Sequence, residues 1–537
     1  MFHFCNIAVR KLGPIRDHPK IGPCFILPLY YLSINKAVAT YVWINQHVVL
    51  IARGIELKVG KFIGGGLLSI LLASTVFAGG AAEAMTLREA LQIAMESNPE
   101  IGQSIENREA IEFELRQARG LYLPSVDVEA STGVRHLEDS SRRLASIEND
   151  PLYPSDVGLT ITQKLFDGGG RRAELERQAA RVDSASFRVL ERSETIGLQI
   201  VREYFEYILQ QQIVAEARKN VGVHQSILSD ISSLISGGAL TEADRQQASE
   251  RLLAAKARLQ EAEEAFDTVK ISFNRLVGQP LTNPSMPKSV AGALPKTLET
   301  AIGIARTNNP RIKAADSDIN VADSQVKAAR SNMLPEVFAE GRVRSGNDID
   351  GSTGNTWDAQ GRIVAKWNLY RGGIDVANEQ EQMRRASEQR LVFHQAHREV
   401  EEAVRISWER RGSQYDIART LNQQAQMNVQ LVESYREQLK VGQRSLLDVL
   451  GAQNSRFNVS VLAKTAQYAA LFAEYRLLAA TGQLLPTMKI KAPAQAEAYA
   501  RNEFNVPDAP ATETYRRVPS RQTNDLPLDL LAPIRQK

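Results

Sequence analysis

Apolar and polar residues alternate along two short stretches of the chain. The first is GLTITQKLF, residues 158–166, and the second is RIVAKWNLY, residues 362–370. A period of two predicts β-strands with one apolar and one polar face. The positions that we expect to share the apolar face are Leu159, Ile161, Leu165, Ile363, Trp367 and Leu369. Similar alternation near Val126 and Val337 brings the number of predicted strands to four.

Longer stretches follow a helical period instead. The chain from Arg171 to Leu234 contains no proline, and an unbroken helix of that length would extend roughly 95 Å. Between Leu421 and Leu439 the seam positions are spaced alternately by four and three residues. A heptad repeat of this kind predicts helices that supercoil around a partner with a left-handed twist.

A partner for this helix follows in the sequence. A similar stripe of apolar residues runs from Leu450 to Leu478, after a short interruption that contains Gly442. Glycine is the usual residue where a helix ends, because it adopts left-handed backbone conformations without strain. We therefore predict antiparallel helical hairpins that reverse direction near Gly238 and Gly442.

The chain contains an internal repeat. TLREALQIAMESNPEI at 86–101 returns as TLETAIGIARTNNPRI at 297–312, an offset of 211 residues. LFDGG at 165–169 returns as LYRGG at 369–373, and the offset of 204 then holds to the end of the second copy. Self-similarity of this kind indicates that one structural unit occurs twice. The change of offset indicates a seven-residue insertion in the first copy between Pro124 and Leu165, where a surface loop would accommodate it.

These patterns divide the chain into segments. Residues 85–278 form the first repeat, 279–295 a linker and 296–485 the second repeat. The linker is assigned from its proline and glycine content. Residues 486–537 are rich in proline, alanine and charge and have no periodicity, so we expect this tail to be disordered.

The N-terminal part has the features of an export signal. Residues 53–84 contain a basic start, an apolar run and the small-residue sequence AEA, which is typical of a secretory signal peptide. Residues 1–52 are then a doubtful extension, and the lack of methionine between Met1 and Met85 favours translation from a non-ATG codon. The alternative is a membrane anchor at 25–51, although proline and polar residues interrupt that segment.

Composition and charge exclude some functions. The chain has 537 residues, of which 43% are hydrophobic and 24% charged. From residue 85 onward it retains 57 of the 65 lysines and arginines and 59 of the 62 acidic residues, which gives no basic surface for nucleic acid. Cys5 and Cys24 both precede the signal peptide, so the exported chain would have neither a disulfide nor a lipid-anchoring cysteine.

Four strands cannot close a barrel by themselves. An open sheet edge in lipid leaves backbone N–H and C=O groups without partners, and bacterial barrels begin at about eight strands. Two-faced strands in an exported chain point to the outer membrane. A protein of this kind must therefore oligomerise if it enters that membrane.

The ordered set of motifs resembles a known family. The Asn-Pro motifs at 98–99 and 309–310, LFDGG, LYRGG and above all VGQRSLLDVLGAQ at 441–453 resemble the outer-membrane efflux proteins, the TolC-like channels of type I secretion and multidrug export. The likeness spans residues 85–485. It implies a mixed α/β membrane protein without catalysis or cofactor, with four strands and two helical hairpins in each protomer.

The resemblance also implies an assembly. Three protomers would form one transmembrane β-barrel in the cell outer membrane, continued by a coiled-coil helical tunnel through the periplasm. The partners implied are a periplasmic adaptor, also called a membrane fusion protein, and an inner-membrane transporter. The exported substrates and the pump or pumps served do not follow from the sequence.

Several residues match the periplasmic mouth of the family. The resemblance implies a gate formed by Asp244, Arg444 and Asp448, in which Arg444 bonds Asp244 and three copies of Asp448 form an acidic ring. It implies adaptor-docking tips formed by Gly238, Leu240, Thr241, Gly442, Ser445 and Leu446. Leu439 replaces a tyrosine of the closed-state network, and Gly451 replaces a second acidic ring. Without the resemblance, the gate residues would be read as solvated polar residues at a turn.

Two other classes of protein remain as alternatives. His394, His397 and Glu401 are spaced to form a metal-binding face on a helix. A solvated helix face is the favoured interpretation, because no glutamate lies between the histidines as in the H-E-x-x-H motif. The glycine run at 168–170 lacks the Lys-Ser/Thr of a phosphate loop and is expected to let a strand bend into a helix. A periplasmic adaptor or structural coiled-coil protein would also contain long hairpins, but adaptors carry one hairpin where this chain has two.

Overall fold

The computed structural model describes residues 85–236, 240–351 and 353–506. The predicted extension 1–52, the signal peptide 53–84 and Gly238 lie outside the described residues. In the first repeat the elements are α1 (Leu87–Ser97), α2 (Pro99–Gly120), β1 (Ser125–Thr132), α3 (Ser140–Leu144), β2 (Ser155–Phe166), α4 (Gly170–Ser236) and α5 (Glu242–Val277).

The second repeat has the same order of elements, apart from the short helix α3. Its elements are α6 (Leu298–Asn308), α7 (Pro310–Ser331), β3 (Glu336–Asn347), β4 (Asn355–Lys366), α8 (Ile374–Lys440) and α9 (Leu446–Ala480). Two short helices follow, α10 (Leu484–Thr487) and α11 (Ala500–Glu503). The prediction of four strands and two long hairpins is confirmed.

The Asn-Pro motifs begin α2 and α7. The side chain of Asn98 accepts a hydrogen bond from the backbone of Glu100, and Pro99 occupies the first helical position, where its missing N–H leaves no donor unpaired. Asn98 also donates to the carbonyl of Leu276 at the end of α5, at 2.9 Å. Asn309 makes the equivalent bond to Ala480 at the end of α9. Each motif thus ties a helix start to the far end of its own hairpin.

The glycine run at 168–170 turns β2 into α4. Gly168 and Gly169 have φ angles of +63° and +92°. A Cβ atom on Gly168 would lie 2.7 Å from Cβ of Leu334, so only glycine fits there. Asp167 accepts hydrogen bonds from the backbone N–H groups of Gly169 and Arg171 and holds the start of the helix. The expectation that this run bends a strand into a helix is confirmed.

The four strands form one antiparallel sheet in the order β1-β2-β3-β4. The register places Val128 opposite Leu159, Leu159 opposite Val343 and Val343 opposite Ala359. Because side chains alternate along each strand, these residues lie on one face. The same face carries Val126, Ile161, Trp357 and Ile363, and the opposite face carries Asp127, Glu129, Thr160, Thr162, Glu340, Arg342 and Arg362.

The simple alternation predicted for the strand ends is wrong at three residues. Leu165 lies at a bulge between Lys164 and Phe166, and a bulge adds one residue without a partner. The alternation therefore resets, and Phe166 pairs with Val337 of the apolar face. Trp367 and Leu369 follow the end of β4 rather than belonging to it. β4 ends at Lys366 because this residue pairs with Glu336, the first residue of β3, and the indole N–H of Trp367 donates to the carbonyl of Met333 before that strand.

The two hairpins are antiparallel. Later residues of α4 contact earlier residues of α5, as expected of helices that run in opposite directions. Val214 packs with Ala262, and Val221 packs with Leu252. Each of α4 and α8 contains 67 residues, which corresponds to roughly 100 Å. In α8 the predicted seam is buried at Val432, as the heptad indicated.

The main core lies where both repeats meet the linker. Phe205 of α4 and Tyr475 of α9 make an edge-to-face contact with ring centroids 5.3 Å apart. The hydroxyl of Tyr204 lies 2.9 Å from the carbonyl oxygens of Met85 and Ser285. Tyr475 donates to the carbonyl of Lys288 in the linker at 2.8 Å. The hydroxyl groups of Tyr204 and Tyr475 thus fix the linker against the helices.

The expected disorder of the tail is wrong for residues 486–506. Ile490 and Ala500 are buried, and the segment packs against α2 and α4. Its composition is polar overall, but a few apolar contacts and ion pairs with distant residues hold it in place. Residues 507–537 lie outside the described residues. Among the described helices, none has an apolar run long enough to cross a bilayer.

Candidate functional site

The tips of the two hairpins begin their second helices in the same way. Thr241 caps α5, where its hydroxyl oxygen accepts from the backbone N–H of Asp244 at 3.4 Å. Ser445 caps α9 and accepts from the backbone N–H of Asp448 at 3.2 Å. Both acidic residues occupy the third helical position, a capping arrangement encoded by a four-residue motif. The internal repeat therefore places one carboxylate at the same point of each tip.

The carboxylate of Asp244 is held in its ionised form. Its Oδ2 accepts from the backbone N–H of Thr241 at 2.9 Å and from the hydroxyl of Thr241 at 2.7 Å. These two hydrogen bonds lower the pKa of Asp244, the bond from the backbone contributing most. The helix N-terminus also favours a negative charge at this position. Asp244 thus presents a fixed charge on an exposed tip.

Arg444 is folded back onto its own hairpin. Its guanidinium lies 4.2 Å from the ring centroid of Tyr435, and Nε donates to Oε1 of Gln438 at 3.1 Å. Nη1 lies 3.9 Å from Oδ2 of Asp448, a contact in which both side chains are partly exposed. The hydroxyl of Ser445 donates to the same Oδ2 at 2.8 Å. The second tip therefore holds an arginine and a carboxylate side by side.

The predicted gate residues are brought together only in part. Arg444 approaches Asp448, whereas Asp244 bonds Thr241 of its own tip. No ion pair joins Arg444 to Asp244 within the described part of one protomer. Sequence reasoning missed Tyr435 and Gln438 as partners of Arg444, because the chain turns between them and the arginine. The turn at Gly442 was the one signal that could have suggested these contacts.

Gly442 closes α8 with a left-handed turn. Its φ angle is +74°, and its N–H donates to the carbonyl of Leu439 at 3.0 Å. The N–H of Gln443 donates to the carbonyl of Gln438 at 2.9 Å. These two bonds form a Schellman motif, in which the glycine position tolerates other residues poorly. The predicted reversal at this position is confirmed.

The tips share a small apolar core. Leu446 is only 3% exposed and Leu450 is fully buried. They pack with Ile231 of α4 and Ala248 of α5, and Leu240 and Leu439 lie at the margin of this cluster. The side chain of Leu446 therefore joins the two hairpins and does not lie on the docking surface expected of it. Gly451 follows Leu450 on α9 and is exposed, with no atom within 4 Å of the Cβ that it lacks.

The apolar face of the sheet is exposed in the protomer. Ile363 is 74% exposed and Trp357 is 70% exposed, and Leu159 and Ile161 are also exposed. Apolar side chains aligned across four strands form one contiguous exposed patch, which is typical of a surface that contacts another protein or a membrane. Trp357 was missed because its strand contains aspartate and glutamine and gives a weak alternation.

The residues of the metal-binding alternative contact other parts of the chain. Glu401 accepts hydrogen bonds from Arg405 at 2.7 Å and from Arg306 at 3.1 Å, and these two arginines lower its pKa. The ring of His397 packs edge-to-face on Phe393, with centroids 4.6 Å apart. In the described part of the chain, no group of three His, Cys, Asp or Glu side chains is arranged to hold a metal ion.

Comparisons with known proteins match both repeats. The family model described as outer membrane efflux protein matches residues 90–279 and 301–483. The chain is 26% identical over 423 residues to the outer membrane efflux protein BepC of Brucella suis, covering 78% of this chain and 89% of BepC. It is 20% identical over 409 residues to the proteases secretion protein PrtF of Dickeya chrysanthemi, covering 73% of this chain and 86% of PrtF.

A solved structure shows the same fold. The crystal structure of the outer membrane protein VceC from Vibrio cholerae matches with a TM-score of 0.64 and 16% sequence identity. The match covers 74% of this chain and 96% of VceC. The long hairpins and the four-stranded sheet of this protomer are thus the architecture of a known outer membrane protein.

Proposed function

Because this chain belongs to the outer membrane efflux protein family, we propose that it is a trimeric exit duct that serves type I secretion, multidrug efflux or both. The family is one of transport proteins and not of enzymes. The duct would be passive, and an inner-membrane transporter would supply the energy.

The exposed apolar face of an open sheet is the observation that carries this proposal. Val128, Leu159 and Ile363 project from it, and burial in lipid is favourable for such side chains. In the described protomer, β1 and β4 each pair on one side only. An unpaired edge is costly in lipid, so β4 of one protomer pairs with β1 of the next until the barrel closes. Three protomers supply twelve strands.

The helical hairpins continue the duct through the periplasm. Helices α4 and α8 would extend roughly 100 Å from the sheet. A compact domain of this size does not contain helices of that length. Their tips would form the periplasmic mouth. The docking surface for an adaptor would consist of the exposed tip positions Gly442, Ser445 and Thr241, together with Gly238.

Charged residues at the tips would hold the mouth closed. Asp244 and Arg444 do not pair within a protomer, so a bond between them would join neighbouring tips in the trimer. A charge-assisted hydrogen bond of this kind can be broken when an adaptor binds. Three Asp448 carboxylates around a threefold axis would repel one another and attract cations. Ser445 already orients each carboxylate by a hydrogen bond at 2.8 Å.

The oligomeric mass and the conductance of the purified protein test the proposed function. The full chain is extracted from outer membranes in detergent, its mass is measured, and the same preparation is added to a planar bilayer. A trimer that gives small, defined steps of conductance supports the duct. A soluble monomer without conductance would favour a periplasmic adaptor or structural coiled-coil protein instead.

A further inference from the structure

A buried polar layer joins the two hairpins behind their tips. Nε2 of Gln453 on α9 donates to Oδ1 of Asn220 on α4 at 2.9 Å, and both side chains are buried. His224 lies one helical turn from Asn220 on the same face of α4 and is 3% exposed. We call Asn220, His224 and Gln453 the seam layer.

The seam layer borders the apolar core of the tips. That core consists of Ile227, Ile231, Ala248, Leu446 and Leu450. The contact between α4 and α9 is therefore apolar near the turn and polar just behind it. A buried polar pair in an otherwise apolar interface stabilises less than apolar packing would, but it favours one register of the two helices over others.

Two polar atoms of the seam layer are unsatisfied. Nδ1 of His224 and Oε1 of Gln453 are buried and have no hydrogen-bond partner among the described residues. Such atoms raise the free energy of the packed arrangement, because water would bond them if it could reach them. Separation of α9 from α4 would return those hydrogen bonds. The seam layer thus opposes separation less than an apolar layer of the same size.

The positive charges around His224 also make the packed arrangement less favourable when the ring is protonated. Burial, then Arg251 on α5 and Arg436 on α8, lower the pKa of the imidazole and keep the ring neutral. Protonation would place a third positive charge beside two arginines in a buried site. The packed arrangement therefore becomes less favourable when the ring takes up a proton.

We propose that the seam layer is the release point of the periplasmic mouth: it fixes the register of α9 on α4 in the closed state and takes up water when the hairpins separate. Asn220, His224 and Gln453 are positioning residues, since they act through the tips that they hold. The inference rests on the proposed function, because it needs a mouth that opens.

A double-mutant cycle in planar bilayers tests the inference. The variants are Asn220→Leu, Gln453→Met and the two combined, each close to the original side chain in size. Either single change leaves the partner amide without its bond, and we expect the ratio of open to closed channels to rise about tenfold. The combined change extends the apolar core, and we expect the ratio to fall below that of the wild-type channel.

Gln424→Leu provides the matched control. Gln424 is the position of the second repeat that corresponds to Asn220, and it is exposed in the protomer. We expect no change in the open-to-closed ratio. The inference would be overturned if the two single changes left the open-to-closed ratio unaltered. It would also be overturned if their effects on the free energy of opening simply added in the combined variant.

The pH dependence of channel opening provides a second test, which applies even if the single variants assemble poorly. We expect the open fraction of the wild-type channel to rise as the pH falls from about 7.5 to about 5, and His224→Asn to remove most of that rise. Asparagine occurs at the equivalent buried position, Asn428, so the variant should fold. The same rise in both proteins would overturn the inference. A wild-type protein without channels would instead overturn the proposed function, and the inference with it.

Discussion

Nε of Arg501 in the C-terminal segment donates to Oδ2 of Asp183 on α4 at 3.1 Å. The same Asp183 carboxylate accepts the backbone N–H groups of Tyr499 and Ala500 at 3.0 and 2.8 Å. Nη1 of Arg501 reaches Oδ2 of Asp316 on α7 at 2.9 Å, so one arginine joins the two repeats. The segment lies beyond the residues that the family model matches, yet it is fastened by a buried ion pair.

Removal of this arginine should loosen the C-terminal segment. Arg501→Ala leaves the buried Asp183 without its cation, and we expect the free energy of unfolding to fall by about 3 kcal/mol. Limited proteolysis should then cleave the segment at 490–506 more rapidly. Arg188→Ala is the control, since Arg188 and Asp318 form an exposed ion pair whose loss should cost under about 1 kcal/mol. Equal effects of the two changes would contradict the prediction.

The buried carboxyl group of Glu194 should make stability depend on pH. Burial raises its pKa from 4.5 to about 7, against the opposing hydrogen bonds from the backbone of Leu485 and Leu484. The folded chain therefore binds this proton more tightly than the unfolded chain. The contribution of this bound proton to the free energy of unfolding is fully present below about pH 4.5, and it is lost as the pH rises through about 7.

Glu194→Gln should remove this dependence. We expect the variant to be more stable than the wild-type protein at pH 8 by up to about 3 kcal/mol, and equally stable near pH 4. Denaturant unfolding at both pH values measures the difference. A stabilisation that is the same at both values would show that packing, and not ionisation, is responsible.

The tip arginine should control the closed mouth. Arg444→Ala removes the contacts with Tyr435, Gln438 and Asp448 and the proposed bond to Asp244, and we expect single-channel conductance to increase several-fold. Asp244→Ala should have a similar effect. Arg245→Ala is the matched control, because this exposed arginine of the first tip pairs with Glu242 of its own helix. Wild-type conductance in both gate variants would contradict a latch.

The carboxylate of Asp448 should bind cations at the mouth. We expect Asp448→Ala to weaken block by divalent cations added on the periplasmic side, by about tenfold in the blocking concentration. Asp448→Asn keeps the acceptor for Ser445 without the charge, and it should behave like the alanine variant. Block of unchanged strength in both would remove Asp448 from the constriction.

The two faces of the sheet should respond differently to charge. Ile363 lies on the apolar face, and its neighbour Val364 lies on the polar face. Ile363→Lys should reduce assembly into the outer membrane, because a lysine on the lipid face is unfavourable, by up to about 2–4 kcal/mol at the bilayer midplane and less towards the interfaces. Val364→Lys introduces the same charge on the other face and should be tolerated. The measurement is the yield of trimer that each variant gives from membranes. Equal yields from the two variants would contradict the placement of the apolar face in lipid.

The sequence by itself determined the repeating plan of this protein. Strand alternation, the proline-free helices and the heptad seam are local periodicities, and each predicts an element from neighbouring residues alone. The capping motifs at Thr241 and Ser445 are local as well, and they place Asp244 and Asp448 in the first turn of their helices. The Asn-Pro and Gly-Gly motifs likewise mark a helix start and a turn without reference to the rest of the chain.

Only the tertiary structure decided which distant residues meet. The bulge at Leu165 depends on how β2 pairs with β3, and the end of β4 depends on where its partner β3 begins. Leu446 is buried because α9 packs on α4, and the C-terminal segment is ordered because Asp183 accepts its backbone N–H groups. Composition and periodicity report the local structure and the burial that a residue favours. They carry no information about a partner that lies tens or hundreds of residues away, and those partners fix the strand ends, the tip core and the tail.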